Sequence, residues 1–95
     1  MAQTSTLPDT LAKGGWRLAS DGAAILKTFI FASFADAMTF MLRVSYAAEA
    51  ADHHPEWTNV YNRVDVRLTT HDAGGLTQKD FDLAAIMEAK ARTQD

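Results

Sequence analysis

The chain has 95 residues, 47% hydrophobic and 22% charged, with a formal net charge of −3. That length predicts one domain over residues 1–95, and the composition is too apolar for a disordered chain. The acidic balance and the scattering of the nine basic residues argue against a nucleic-acid partner, which needs clustered Lys and Arg. The absence of cysteine excludes disulfides, thiolate metal sites and a catalytic thiol.

Residues 1–7 read as a flexible tail, without the basic start and apolar core of a secretory signal. A short helix is expected from Pro8 to Lys13, because proline suits a first helical turn; Gly14-Gly15 ends it. Trp16-Arg17-Leu18 predicts a short strand, and Asp21-Gly22 a turn. Ile25 to Phe31 alternates imperfectly but is rich in β-formers, which predicts a second strand.

Ser33 followed by Asp36 resembles a capping box. Behind it, Phe34, Met38, Met41, Leu42, Ser45 and Ala48 recur at helical spacing, which predicts an amphipathic helix to about Ala51. Its methionine stripe reads as core or subunit interface. This stretch is periodic and carries Asp36 and Arg43, so it does not read as a membrane span. A soluble, cytoplasmic protein without a membrane partner is expected.

Pro55 stops any helix before it. Trp57 to Tyr61 and Val64 to Thr69 predict two strands, with a tight turn at Asn62-Arg63. In the second, Val64, Val66 and Leu68 alternate with Asp65, Arg67 and Thr69, the period of a strand with one wet face. Gly74-Gly75 reads as a loop. Thr77 with Asp80 is a second cap-like pair, and Phe81 to about Arg92 predicts the last helix. The order αββαββα implies an α+β fold, a four-stranded antiparallel sheet with three helices packed on one face. A domain this small buries a modest share of its surface, which favours association of copies.

The three histidines fall in two loops: His53-His54-Pro55 after the long helix, and His71-Asp72 after the alternating strand. Histidine gives and takes protons near neutral pH, and Glu49, Asp52, Glu56 and Asp72 are near enough in sequence to orient an imidazole. Two readings stand on spacing alone: loop histidines satisfied by backbone groups, or one acid–base pocket. A zinc or iron site is disfavoured, because adjacent ligands diverge by about 100° on a helix and face opposite ways on a strand. His-Glu-x-x-His is also missing. No Gly-x-Ser-x-Gly turn or phosphate loop is present. Trp57 and Tyr61 suit either core packing or stacking on a planar ligand.

The run Asp52-His53-His54-Pro55-Glu56-Trp57, then Asn59-Val60-Tyr61-Asn62 and Val64, resembles the pterin-4a-carbinolamine dehydratase family. The likeness continues through Leu68-Thr69-Thr70-His71-Asp72, Gly75-Leu76-Thr77, Asp80 and Leu83-Ala84. Upstream, Gly15-Trp16, Phe40-Met41 and Val44 agree. The resemblance implies a lyase that removes water from a 4a-hydroxytetrahydropterin, giving a quinonoid dihydropterin during cofactor recycling after aromatic amino-acid hydroxylation. It implies no metal or organic cofactor, and dimers or tetramers built through the long helix and sheet edges.

By resemblance, His53, His54 and His71 are the catalytic set. Glu49, Pro55, Trp57, Thr70, Asp72 and Ala73 join them in binding the pterin, although Asp72 and Ala73 stand at variable positions. His54 and His71 are expected to carry the principal proton transfers, with His53 protonating from another side. Two other functions compete. One is a dimerisation module for a DNA-binding partner, using Met38, Met41, Leu42 and Tyr46, as some relatives do for a homeodomain factor. The other is a pterin-binding protein of molybdopterin metabolism.

Overall fold

The computed structural model describes residues 6–92. Of the expected tail, residues 1–5 lie outside the described residues; Leu7 is half-buried and packs on the core. The elements are α1 (Asp9–Lys13), β1 (Arg17–Leu18), β2 (Ile25–Ile30), α2 (Phe34–Ala51), β3 (Glu56–Val60), β4 (Arg63–Leu68), a 3-10 turn (His71–Ala73) and α3 (Gln78–Arg92). The expected order αββαββα holds. All three strand pairings are antiparallel, in the order β1-β2-β4-β3.

Local chemistry accounts for most boundaries. The Ser33 side chain accepts from the Asp36 N–H at 3.1 Å, which starts α2 where the cap was expected. The β3–β4 turn sits one residue earlier than expected, with Tyr61 at φ 52° and Arg63 already in β4. Asn59 explains the shift, since its amide donates to the carbonyls of Tyr61 and Arg63 at 3.0 and 2.9 Å. α3 begins three residues before Phe81, because the chain turns in at Thr77. The 3-10 turn was not anticipated.

One face of the sheet carries the core. Ile25 and Phe29 of β2 and Val64, Val66 and Leu68 of β4 cluster with Phe40 and Val44 of α2 and Leu83 and Met87 of α3. The Phe40 ring packs at 4.8 Å from that of Phe29 and 4.9 Å from that of Phe31. Lys27 points to the same face between Ile25 and Phe29, which is why the alternation of β2 is imperfect. Its ammonium donates to the Gly14 carbonyl and to Glu88 Oε2, each at 2.5 Å, and lies 4.5 Å from the Phe29 ring centroid. Trp16 Nε1 donates to the same Glu88 oxygen at 3.1 Å. A charge under the helices is thereby paired, and it ties β2 to α3 and to the end of α1.

The other face is open and polar. Arg17, Leu26, Thr28, Thr58, Arg63 and Asp65 line a depression of about 450 Å³ on it. Arg63 Nε lies 2.9 and 3.1 Å from the two Asp65 oxygens, and the Thr28 hydroxyl donates to Asp65 at 2.6 Å. These groups satisfy one another, and no histidine is among them. No helix among the described residues is long and apolar enough to cross a membrane.

The Arg63 side chain, then the Thr28 hydroxyl, hold the Asp65 carboxyl below the ordinary carboxylate range. The folded chain therefore binds that proton less tightly than the unfolded chain. The resulting stability is present above the ordinary Asp value and lost as pH falls through it toward the folded value. Because both members of the pair are well solvated, the effect is modest. The Asp65→Asn variant should show a flatter fall of Tm with acidification than the wild type, measured by thermal melts from pH 7 to pH 3.

Candidate active site

The long helix ends in a device that sends two adjacent histidines to different environments. Asp52 caps α2 in the left-handed region (φ 51°, ψ 43°), and its N–H reaches the carbonyls of Ala48 and Glu49. The His53 N–H then donates to the Ala48 carbonyl at 3.0 Å, closing the helix end. His53 is carried inward, and its side chain is 9% exposed, whereas that of His54 is 59% exposed. Pro55 leads directly into β3.

His53 meets a buried carboxylate. Its Nε2 lies 2.6 Å from Oδ1 of Asp80, which is fully buried in the first turn of α3. The second Asp80 oxygen accepts from the Thr70 hydroxyl at 2.8 Å and from the Thr77 N–H at 3.0 Å. Thr70 and Thr77 hydroxyls are 2.8 Å apart. Since the Thr70 proton goes to Asp80, the Thr77 hydroxyl is the donor between them. The Thr77–Asp80 pair thus opens α3 and also holds His53.

His71 follows Thr70 and opens the 3-10 turn, which closes at Gly74 with φ 71°. That left-handed conformation favours glycine. A bridge between Thr70 and Gly75 returns the chain toward α3. His71 Nε2 lies 3.0 Å from Glu56 Oε2, and His54 Nε2 lies 3.0 Å from Glu49 Oε1. Each histidine therefore spends Nε2 on a carboxylate. An ionised carboxylate only accepts, so Nε2 carries the proton and Nδ1 is the bare nitrogen of the neutral ring. Among the described residues, no protein group bonds these Nδ1 atoms.

His53, His54, Thr70, His71 and Asp72 line one pocket of about 210 Å³, together with Asp52, Thr69 and Lys79. Glu49, Pro55 and Trp57 line a neighbouring pocket of about 390 Å³ with Ser45, Tyr46 and Ala48. His54 belongs to both. Ala73 lines neither. Trp57 is half-buried and packs on the core while lining the second pocket, so both of its expected settings apply. Tyr61 is exposed in the β3–β4 turn, outside both pockets. No group of three His, Asp or Glu side chains that could hold a metal occurs among the described residues.

Sequence reasoning passed over Asp80, Thr77 and Lys79. The Thr77-x-x-Asp80 signal marks a helix start and part of the family likeness, and nothing local marks its carboxylate as aimed at a histidine 27 positions earlier. An Asp80→Asn variant places an amide N–H₂ against groups that already donate. It should lower the free energy of unfolding by about 1–3 kcal/mol, read from the midpoint of urea unfolding at constant slope.

The comparisons agree on a family. A family model for pterin 4 alpha carbinolamine dehydratase matches residues 2–90. A protein of Rhizobium meliloti (strain 1021), named provisionally as a pterin-4-alpha-carbinolamine dehydratase, is 61% identical over 77 residues, covering 81% of this chain and 74% of that one. The crystal structure of a transcriptional coactivator/pterin dehydratase from Brucella melitensis superposes with a TM-score of 0.81 at 40% identity, over 90% of this chain and 97% of that one. A pterin dehydratase-like protein identified as a RuBisCO assembly factor in the alpha-carboxysome shares the fold, with a TM-score of 0.70 at 22% identity over 81% and 89% of the two chains.

Proposed function

The chain belongs to the pterin 4 alpha carbinolamine dehydratase family, and from that premise we propose that it removes water from a 4a-hydroxytetrahydropterin by histidine acid–base catalysis. The observation that carries the reading is the set of three imidazoles on one pocket, each with Nε2 on its own carboxylate. The product is the quinonoid dihydropterin. In this reading the protein recycles tetrahydrobiopterin-type cofactors in the cytoplasm, downstream of aromatic amino-acid hydroxylation, with no metal or organic cofactor of its own.

Water leaves by cleavage of the C4a–O bond, with both electrons going to oxygen. Hydroxide is a poor leaving group, so one imidazolium gives its proton to the departing oxygen while a neutral imidazole takes a proton from a ring nitrogen. His54 and His71 suit these roles, because they are open to a ligand and keep Nδ1 uncommitted. His53 is held more rigidly by Asp80 and serves to protonate from the inner side. Pro55, Trp57 and Glu49 border the wall against which a planar pterin would lie, with Thr70, Asp72 and Ala73 along the opposite loop.

Stopped-flow dehydration of chemically generated carbinolamine tests the assignment. His54→Ala and His71→Ala should each slow the reaction about 10²–10⁴-fold. Wild-type rates in both folded variants would end the mechanism, and a wild type no faster than buffer would end the enzymatic reading.

We also propose that the chain is a homo-oligomer. Phe34, Met38, Leu42 and Tyr46 form an exposed apolar stripe at four-residue spacing along α2, and such a stripe favours burial against another copy. The name of the Brucella melitensis protein, a transcriptional coactivator/pterin dehydratase, supports a second reading in which this face binds another protein. Leu42→Glu should shift the protein from dimer or tetramer toward monomer in sedimentation velocity. A wild type that is already monomeric would leave the stripe to a different partner.

A further inference from the structure

Glu56 and Arg67 are directly opposed residues of β3 and β4. The next pair, Trp57 and Val66, faces the helices, so Glu56 and Arg67 stand on the open side of the sheet. Glu56 Oε2 is shared between two cations or donors: Arg67 Nη1 at 3.5 Å and His71 Nε2 at 3.0 Å. His71 itself is 80% exposed, and among the described residues no other protein hydrogen bond holds its ring. The orientation of this imidazole therefore depends on a carboxylate fixed from the far face of the sheet.

We propose that Glu56 and Arg67 are a positioning pair for His71. Arg67 steadies the Glu56 carboxylate. Glu56 in turn holds the Nε2 proton of His71 and leaves Nδ1 as the nitrogen that exchanges protons with the ligand. Neither residue touches the pterin in this assignment. Glu56 is 45% and Arg67 39% exposed, so the pair itself contributes little to stability, and its loss leaves the fold intact. An outer carboxylate that fixes a working imidazole is worth far more to function, as it is for metal-bound histidines. Arg67 reaches His71 through Glu56, so its contribution vanishes once Glu56 is gone.

The catalytic consequence rests on the dehydratase reading; the hydrogen bond does not, and the experiment separates them. In the first arm, ring ¹⁵N shifts of His71 are recorded for the full chain. The wild type should show a protonated Nε2 and a bare Nδ1. Glu56→Ala should move the two shifts toward each other, and Arg67→Ala should move them less in the same direction. The second arm is a double-mutant cycle on kcat. Glu56→Ala should lower kcat about tenfold with KM held within about twofold, the pattern of a group that matters in the transition state. Arg67→Ala should cost about threefold alone and nothing in the Glu56→Ala background. Arg67→Lys should recover at least half of the loss. Unchanged His71 shifts in Glu56→Ala, or a full Arg67→Ala penalty without Glu56, would overturn the positioning pair. A wild type without dehydration would overturn the functional reading instead, and the nitrogen shifts would still decide the hydrogen bond.

Discussion

One fully buried carboxylate organises the histidine end of the molecule. Asp80 accepts from the Thr70 hydroxyl and the Thr77 N–H and pairs with the His53 ring. A charge with no access to water must have all these partners in place, because each missing one leaves an uncompensated lone pair. The partners come from three segments: the turn after α2, the exit of β4 and the entry of α3. The carboxylate is thus satisfied only when all three have converged. The two exposed histidines are sequence neighbours of two of those partners, His54 of His53 and His71 of Thr70. Fixing the buried set therefore fixes where both open imidazoles emerge.

The sheet divides the remaining work between its faces. The helix side is closed by aromatic and aliphatic packing around Phe40 and by the Lys27–Glu88 pair, which clamps β2 to α3. The open side is a lattice of polar pairs, Arg63 with Asp65 along β4, Thr28 with Asp65 across β2 and β4, and Arg67 with Glu56 across β4 and β3, individually weak and solvated. Among the described residues, only Glu56 connects that lattice to a histidine. The site accordingly has a rigid inner anchor at Asp80 and a softer outer one at Glu56.

Much of this was legible in the residues because their patterns are local. The alternation of Val64, Val66 and Leu68, the Ser33 cap and the stop at Pro55 each report on a few neighbouring positions, and the element order followed from them. What was hidden depends on distant partners. Lys27 breaks the alternation of β2, and nothing nearby announces Glu88, 61 residues away, as the group that makes its burial tolerable. Asp80 has the look of half of a capping pair, which it is through Oδ2, while its Oδ1 serves a histidine in the turn after α2. The displaced β3–β4 turn depended on a single Asn59 amide bridging two carbonyls. The grouping of the three histidines came from a family resemblance rather than from spacing, which by itself left unremarkable loop histidines as an equal account.

The same geometry explains why adjacent histidines need not do the same job. A continued helix would turn His54 about 100° from His53, leaving both on the helix surface. The left-handed Asp52 breaks the helix first, so one ring drops onto Asp80 and the next stays at the pocket mouth against Glu49. In the proposed dehydration these settings are complementary. A ring locked to a buried carboxylate is well oriented but slow to exchange its proton with solvent. An exposed ring on a solvated carboxylate recharges readily between turnovers. Turnover requires the acid to regain a proton and the base to lose one, and that places the demand for solvent access on His54 and His71 rather than on His53.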